Sequence, residues 1–499
     1  MPMAGLQRWC ELLAANAPTA AALKPATLVW LLNDVTLTAD FFSNLSMKDR
    51  TPKVLNLLQE FHEAEPTRFP VYNRVAIAMA LVWDDPPHGA PHHQVAADAV
   101  PLDTSTPVDR FRFWIDTQEK KTSDYELPKL EVEQLKFVVD AAAPLDELRW
   151  AQTSARFSRG TFERAFFAVK YDEARIEKGV YVWPHKEYSL KEIRKLGGIC
   201  VDQAYFAVTA GKASGIPTLF FTGEGRRGGH AWFGYMKNPD RWDMDCGRYQ
   251  YDKYATGTAR DPQTGESISD HELAFLAEPF RNSAEYRLSM AHLRQGQLFL
   301  GGGNAARALE AADAALLQCR QNLAAWEFKT RLLEGGSPPG TGIGAHLNAM
   351  IQQFNRYPDI KTSCQEKLAK LAREKGDTKT AAQIEDRMIR DNRNKRQDLS
   401  AAVFQKKLAE CCDKGDWKGG QAVVHDAIMK LKDETGPVFE LAQYFVARCL
   451  QSGQAEEANR ALKDFKNRMH LDPIVTAQFE RLSLEVKRAL REQPFGKKK

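Results

Sequence analysis

The sequence predicts an α+β protein in which a small mixed core interrupts a mainly helical chain, and three observations lead there. Apolar stripes at helical spacing fill residues 5–85, glycine-punctuated helix pairs recur from about residue 280, and between them a helix starting at a cysteine is followed by strand-like runs. At 499 residues the chain exceeds one ordinary core. It divides into a mainly helical region at 1–135, a mixed core at 136–280 and an α-helical repeat region at 281–499. An apolar fraction of 43% and a charged fraction of 27% are those of a globular protein.

Composition then excludes several function classes. Lys and Arg number 69 against 65 Asp and Glu, and the basic residues are dispersed apart from Lys497-Lys498-Lys499, so no nucleic-acid partner is expected. The longest apolar run, Val75 to Trp83, is well short of the roughly 18 residues that span a bilayer. No membrane span is expected. The first residues lack a basic start followed by a continuous apolar stretch, which leaves the cytoplasm as the default compartment, or an exported one if the N-terminus is processed. The eight cysteines are irregularly spaced with no C-x-x-C, which suggests reduced thiols rather than a disulfide framework or a zinc finger.

The N-terminal region reads as helices at LQRWCELLAANA, PATLVWLLND and VLNLLQEFHEA. Asp84 to Pro107 is rich in Pro, His and Ala without periodicity, so it reads as a long loop. It holds His88, His92 and His93, whose expected role is structural or solvated rather than metal-binding. From residue 280, the glycines at 303, 336, 376, 415 and 453 are spaced by 33, 40, 39 and 38 residues. Helix pairs joined at such glycines resemble tetratricopeptide-like repeats, which more often make an interaction surface than an active site.

The chemistry concentrates in the middle. In GGICVDQAYFAVTAGKASGIP the small and apolar residues after Cys200 fit a helical stripe that stops at Gly215-Ile216-Pro217, so Cys200 opens a helix. Free N–H groups and the positive end of the helix dipole favour a thiolate there, and they are also donors for an oxyanion. Gly197 and Gly198 allow a tight approach of backbone to the sulfur. TLFFT and HAWFGYM read as strands, and the turn Lys237-Asn238-Pro239-Asp240 returns the chain as RWDMDC. A symmetric turn pairs Met236 with Arg241, Gly234 with Asp243 and Trp232 with Asp245. His230 then lies diagonal to Asp245 on one sheet face, with Asp243 as the fallback if the register slips by two. Cys200, His230 and Asp245 are thus the candidate nucleophile, base and orienting acid.

These residues carry a family resemblance. GGICVDQAYF, GGHAWFGYM and RWDMDCGRY resemble the transglutaminase-like core of the papain-type cysteine enzymes, over roughly residues 185–255. The resemblance implies a Cys200–His230–Asp245 catalytic triad, with a cysteine-bearing helix packed on an antiparallel sheet. It implies acyl transfer at peptide or protein amide bonds through a thioester, by hydrolysis or by transamidation. Hydrolysis is the favoured outcome because water is always at hand and no acidic amine pocket is identifiable. The superfamily includes cross-linking enzymes, bacterial proteases and amidases, and members that have lost catalysis, so the alternative is a non-catalytic scaffold that binds a protein partner through its helical repeats. This chain departs from the family pattern at Cys246-Gly247, where Pro-Thr is usual.

No cofactor or metal is expected, and no calcium-site pattern is present. Gln152, Trp183 and His185 are the candidates for a second oxyanion donor. Trp232 and Trp242 are expected to pack the core, Cys246 to be structural, Asp202 and Gln203 to cap the helix entrance or carry a solvated charge, and Arg226 and Arg227 to be solvated or to meet a substrate carboxylate.

Overall fold

The computed structural model describes residues 3–86, 92–225, 228–248, 256–336, 342–431, 435–471 and 473–492. The protein is α+β, largely helical with one small antiparallel sheet of five strands. It forms two compact units: Met1–Thr222 with Ala231–Arg248 and Thr258–Glu278, and Gly223–His230 with Tyr249–Gly257 and Pro279–Lys499.

The first unit is built around the helix Asn73–Trp83, whose residues Val75 to Trp83 are all buried. A helix apolar on every side must be surrounded by protein, which is where that nine-residue run finds its place. It packs against the helix Val132–Val139. Trp83 Nε1 donates to the Val139 carbonyl at 2.8 Å, and the Arg110 guanidinium lies 4.5 Å over the Trp83 ring while donating to the carbonyls of Ala141 and Ala143. Residues on both sides of position 135 belong to one compact unit.

The sheet runs in the order β3-β2-β1-β4-β5, from strands β1 (Thr218–Gly225), β2 (Gly228–Asn238), β3 (Arg241–Cys246), β4 (Thr258–Arg260) and β5 (Ser267–Ser269). The register of β2 and β3 differs from the symmetric four-residue turn. Asn238 pairs with Arg241, Met236 with Trp242, Tyr235 with Asp243 and Phe233 with Cys246, with irregularities between these steps. The cause is local: Asn238 Oδ1 accepts the Asp240 N–H at 3.1 Å, so Asn238 stays in the strand and Pro239-Asp240 alone make the turn.

The helix Cys200–Ala213 leads into β1. Thr218 Oγ1 of β1 donates to the Val208 carbonyl at 2.9 Å, which joins helix to strand. The helix ends where the sequence predicts, because Gly215 adopts φ +68° and lets the Ile216 N–H return to the Gly211 carbonyl at 2.9 Å.

The second unit contains successive helix pairs. Pro358–Glu374 with Thr378–Asn392, Gln397–Asp413 with Trp417–Lys430, and Thr435–Gln451 with Ala455–Arg468 start 39 and 38 residues apart. Each pair turns on a left-handed glycine, Gly376, Gly415 or Gly453. Asp377 and Asp416 follow the first two and cap the next helix. Gly303 and Asn304 repeat the device at Ala284–Gly301 and Ala305–Gln318. Gly336 does not share it, because its helix closes at Glu334 with Gly335 as the cap.

Candidate active site

The approach to Cys200 is a set of backbone contacts that only glycine permits. Gly197 has φ +85°, and a Cβ there would stand 2.7 Å from the Lys170 carbonyl oxygen. At Gly198 a Cβ would fall 2.4 Å from the Cβ of Asp202. The Gly198 N–H donates to the Lys170 carbonyl at 2.9 Å and its carbonyl accepts the Asp172 N–H at 3.0 Å, so a strap at 170–172 runs beside the glycine pair. Asp202 folds back in the vacated space, and its Oδ2 accepts the Ile199 N–H at 2.8 Å. Cys200 is the first residue of the helix, as the sequence predicts.

Burial pushes the Cys200 thiol above its usual range. The backbone N–H groups of Ala231, Val201 and Cys200 itself pull it back down, and the Asp202 charge adds to the rise. The sulfur therefore rests as a thiol that needs a base, and it is held against the start of β2 at Ala231, the residue after His230. His230 is buried, at 6% exposure.

Asp245 does not sit where the symmetric hairpin puts it. Phe233 faces Cys246 and Tyr235 faces Asp243, so Met244 and Asp245 together oppose Gly234 at an irregularity, three to four residues along β2 from position 230 or about 10–13 Å of strand. Its side chain is 69% exposed and pairs with Arg248 at 2.9 Å. Arg248 also meets Asp270 at 2.9 Å and lies 5.0 Å over the Trp232 ring. Asp243 lies further still, opposite Tyr235. Burial first, and then Asp243, raise the buried Cys246 thiol, which makes Cys246 an unreactive core sulfur.

The oxyanion candidates fare no better. Gln152 donates to the Ala213 carbonyl at 2.9 Å, at the far end of the Cys200 helix and about 20 Å from the thiol by helical rise. Trp183 Nε1 is committed to the Glu187 carbonyl at 3.0 Å, and His185 is exposed with its ring 5.0 Å from that of Trp183. Trp232 is fully buried and donates to the Met244 carbonyl at 2.9 Å, and Trp242 is 9% exposed, so both belong to the core. Arg226, Arg227, His88 and the terminal lysines lie outside the described residues.

What the sequence reading missed is a buried polar cluster around Asp202, which is fully buried rather than solvated. Arg175 Nη1 donates to Asp202 Oδ2 at 2.7 Å, while its Nη2 and Nε hold the carbonyls of Tyr181 at 2.9 Å and Val180 at 3.3 Å. His92 Nε2 lies 2.6 Å from Tyr188 Oη and 3.9 Å from Asp202 Oδ1. Its ring stacks on Phe220 at 6.1 Å, and burial pushes its pKa down to about 3, so it is neutral. Because the Gln94 N–H donates to His92 Nδ1 at 3.3 Å, the ring proton belongs on Nε2. Nε2–H then donates to Tyr188, and Asp202 Oδ1 is buried with no hydrogen-bond partner among the described residues. Gln203, one turn from Cys200, donates to the Val169 carbonyl at 2.8 Å, and its buried Oε1 has no hydrogen-bond partner among the described residues. The capping of Ile199 by a third-position acid was the one legible signal for this cluster.

No group of three or more His, Cys, Asp or Glu side chains placed to hold a metal occurs among the described residues, and no described helix is long and apolar enough to cross a membrane. No protein-family model matches the chain, and no curated protein or solved structure matches it.

Proposed function

We propose that this protein is a cysteine acyl-transfer enzyme with a transglutaminase-like core, acting on amide bonds of peptides or proteins with Cys200 as nucleophile and His230 as base. The observation that carries the reading is the placement of the Cys200 thiol at a helix N-terminus against the Ala231 N–H, next in the chain to a buried histidine. In this mechanism His230 takes the thiol proton as sulfur attacks the amide carbonyl. The oxyanion is stabilised by the free N–H groups of the first helical turn, and collapse expels the amine, which leaves with the proton held by His230. Water then cleaves the thioester.

A thiol raised by burial fits this order of events, because the base acts during attack rather than resting as an ion pair with a thiolate. Asp245 is the orienting acid by family resemblance only, and to serve it would have to leave Arg248. The test is to trap a substrate-derived thioester on Cys200 and follow its release with and without a primary amine. Release as free acid is expected. Release only into an amine adduct would make the protein a transamidase, and full activity in Cys200→Ala would overturn the reading.

A further inference from the structure

The polar cluster beside Cys200 is larger than a helix cap requires. A lone third-position carboxylate suffices to accept the Ile199 N–H, yet Asp202 sits in a fully buried position with an arginine on one oxygen and a tyrosine–histidine pair facing the other. A bare carboxylate there would oppose thiolate formation two residues away, since like charges disfavour each other and burial strengthens the effect. The guanidinium supplies the missing positive charge. It also ties the 170–181 strap to the helix, because the same side chain binds the carbonyls of Val180 and Tyr181.

We propose that Arg175 is a positioning residue for the Cys200 thiol: its guanidinium cancels the Asp202 charge and, with Tyr188 and His92, keeps the first turn of the helix able to stabilise the thiolate. The charged and titratable groups that face Asp202 are Arg175 from the strap, Tyr188 from the segment before the helix Leu190–Leu196, His92 from the 92–96 turn, and Cys200 on the same helix. Tyr205 and His93 lie behind Tyr188 and His92. His92 is neutral and gives the cluster direction rather than charge.

The inference rests on Cys200 being the reactive thiol of the proposed function, but its test needs no substrate. Alkylation of Cys200 by iodoacetamide is followed across pH by peptide mass spectrometry, which separates it from the other seven cysteines. In Arg175→Gln the apparent thiol pKa is expected to rise by about one unit, or about tenfold slower alkylation at neutral pH. Arg175→Lys keeps the charge and should stay near wild type. The double variant Arg175→Gln/Asp202→Asn removes both charges while keeping an acceptor for Ile199, and should return toward the wild-type pKa.

An arginine with a merely structural role would give no such return. An unchanged pKa in Arg175→Gln, or a double variant no nearer to wild type than the single, overturns the proposal. If Arg175→Gln does not fold, Tyr188→Phe decides: a smaller upward shift supports the proposal and no shift overturns it. Failure of the enzyme reading is separate, since it shows as a Cys200 that His230→Ala leaves unchanged.

Discussion

The two ends of the Cys200 helix are each pinned by a buried ion pair, but the pairs are finished differently. At the C-terminal end Lys212 Nζ donates to Asp140 Oδ1 and to the carbonyls of Phe137 and Thr218, so all three of its hydrogens are used. At the N-terminal end Arg175 holds Asp202 by one oxygen, while the other oxygen lies buried with a neutral histidine 3.9 Å away. A buried charge with every bond made is an anchor. A buried charge with bonds to spare, next to a thiol, is where a fold can adjust reactivity, so under the proposed function stability and chemistry would occupy opposite ends of one helix.

Breaking the anchor should have the largest effect. Lys212→Met strands Asp140 in the core and is expected to remove about 3–5 kcal/mol of stability in urea unfolding, without moving the thiol pKa of the molecules that remain folded. Gly198→Ala attacks the other end. A Cβ 2.4 Å from that of Asp202 forces the turn apart, so a loss of about 1–3 kcal/mol is expected together with slower Cys200 alkylation. A variant that loses stability but not reactivity would separate the turn from the chemistry.

Glu147 sharpens the contrast through pH. Its Oε2 accepts the Leu190 N–H at 2.9 Å, its Oε1 is buried without a hydrogen-bond partner among the described residues, and burial raises its pKa from 4.5 to about 7. A carboxyl that binds its proton more tightly when folded stabilises the protein fully below the unfolded pKa, and that contribution is lost as pH climbs through the folded value. Stability should therefore fall between about pH 4.5 and 7, and Glu147→Gln should flatten that slope in unfolding curves taken across the window. The smallest effect belongs to Asp245→Ala, the exposed partner of Arg248, which should cost no more than about 1 kcal/mol by the same assay.

The sequence was legible where one local rule decides the outcome. Gly215 had to cap the Cys200 helix, and glycines 376 and 415, each followed by an aspartate cap, had to turn helix pairs. The β2–β3 register was not legible at single-residue precision, because an Asn238 side chain shortened the turn and irregularities accumulated beyond it. That shift is enough to carry Asp245 away from the position the symmetric hairpin assigns it. The Asp202 cluster was hidden for another reason: Arg175, Tyr188 and His92 come from three separate segments, and only the tertiary fold places them on one carboxylate.

The reactivity of Cys200 in the folded protein tests its role as nucleophile most directly. Its rate of alkylation is measured against pH beside that of a model thiol, in the wild type and in His230→Ala. Because burial raises the thiol, Cys200 is expected to alkylate more slowly than the model thiol near neutral pH, and His230→Ala to slow it further. A Cys200 whose alkylation across pH is indifferent to His230→Ala would contradict the assignment of this thiol as a nucleophile.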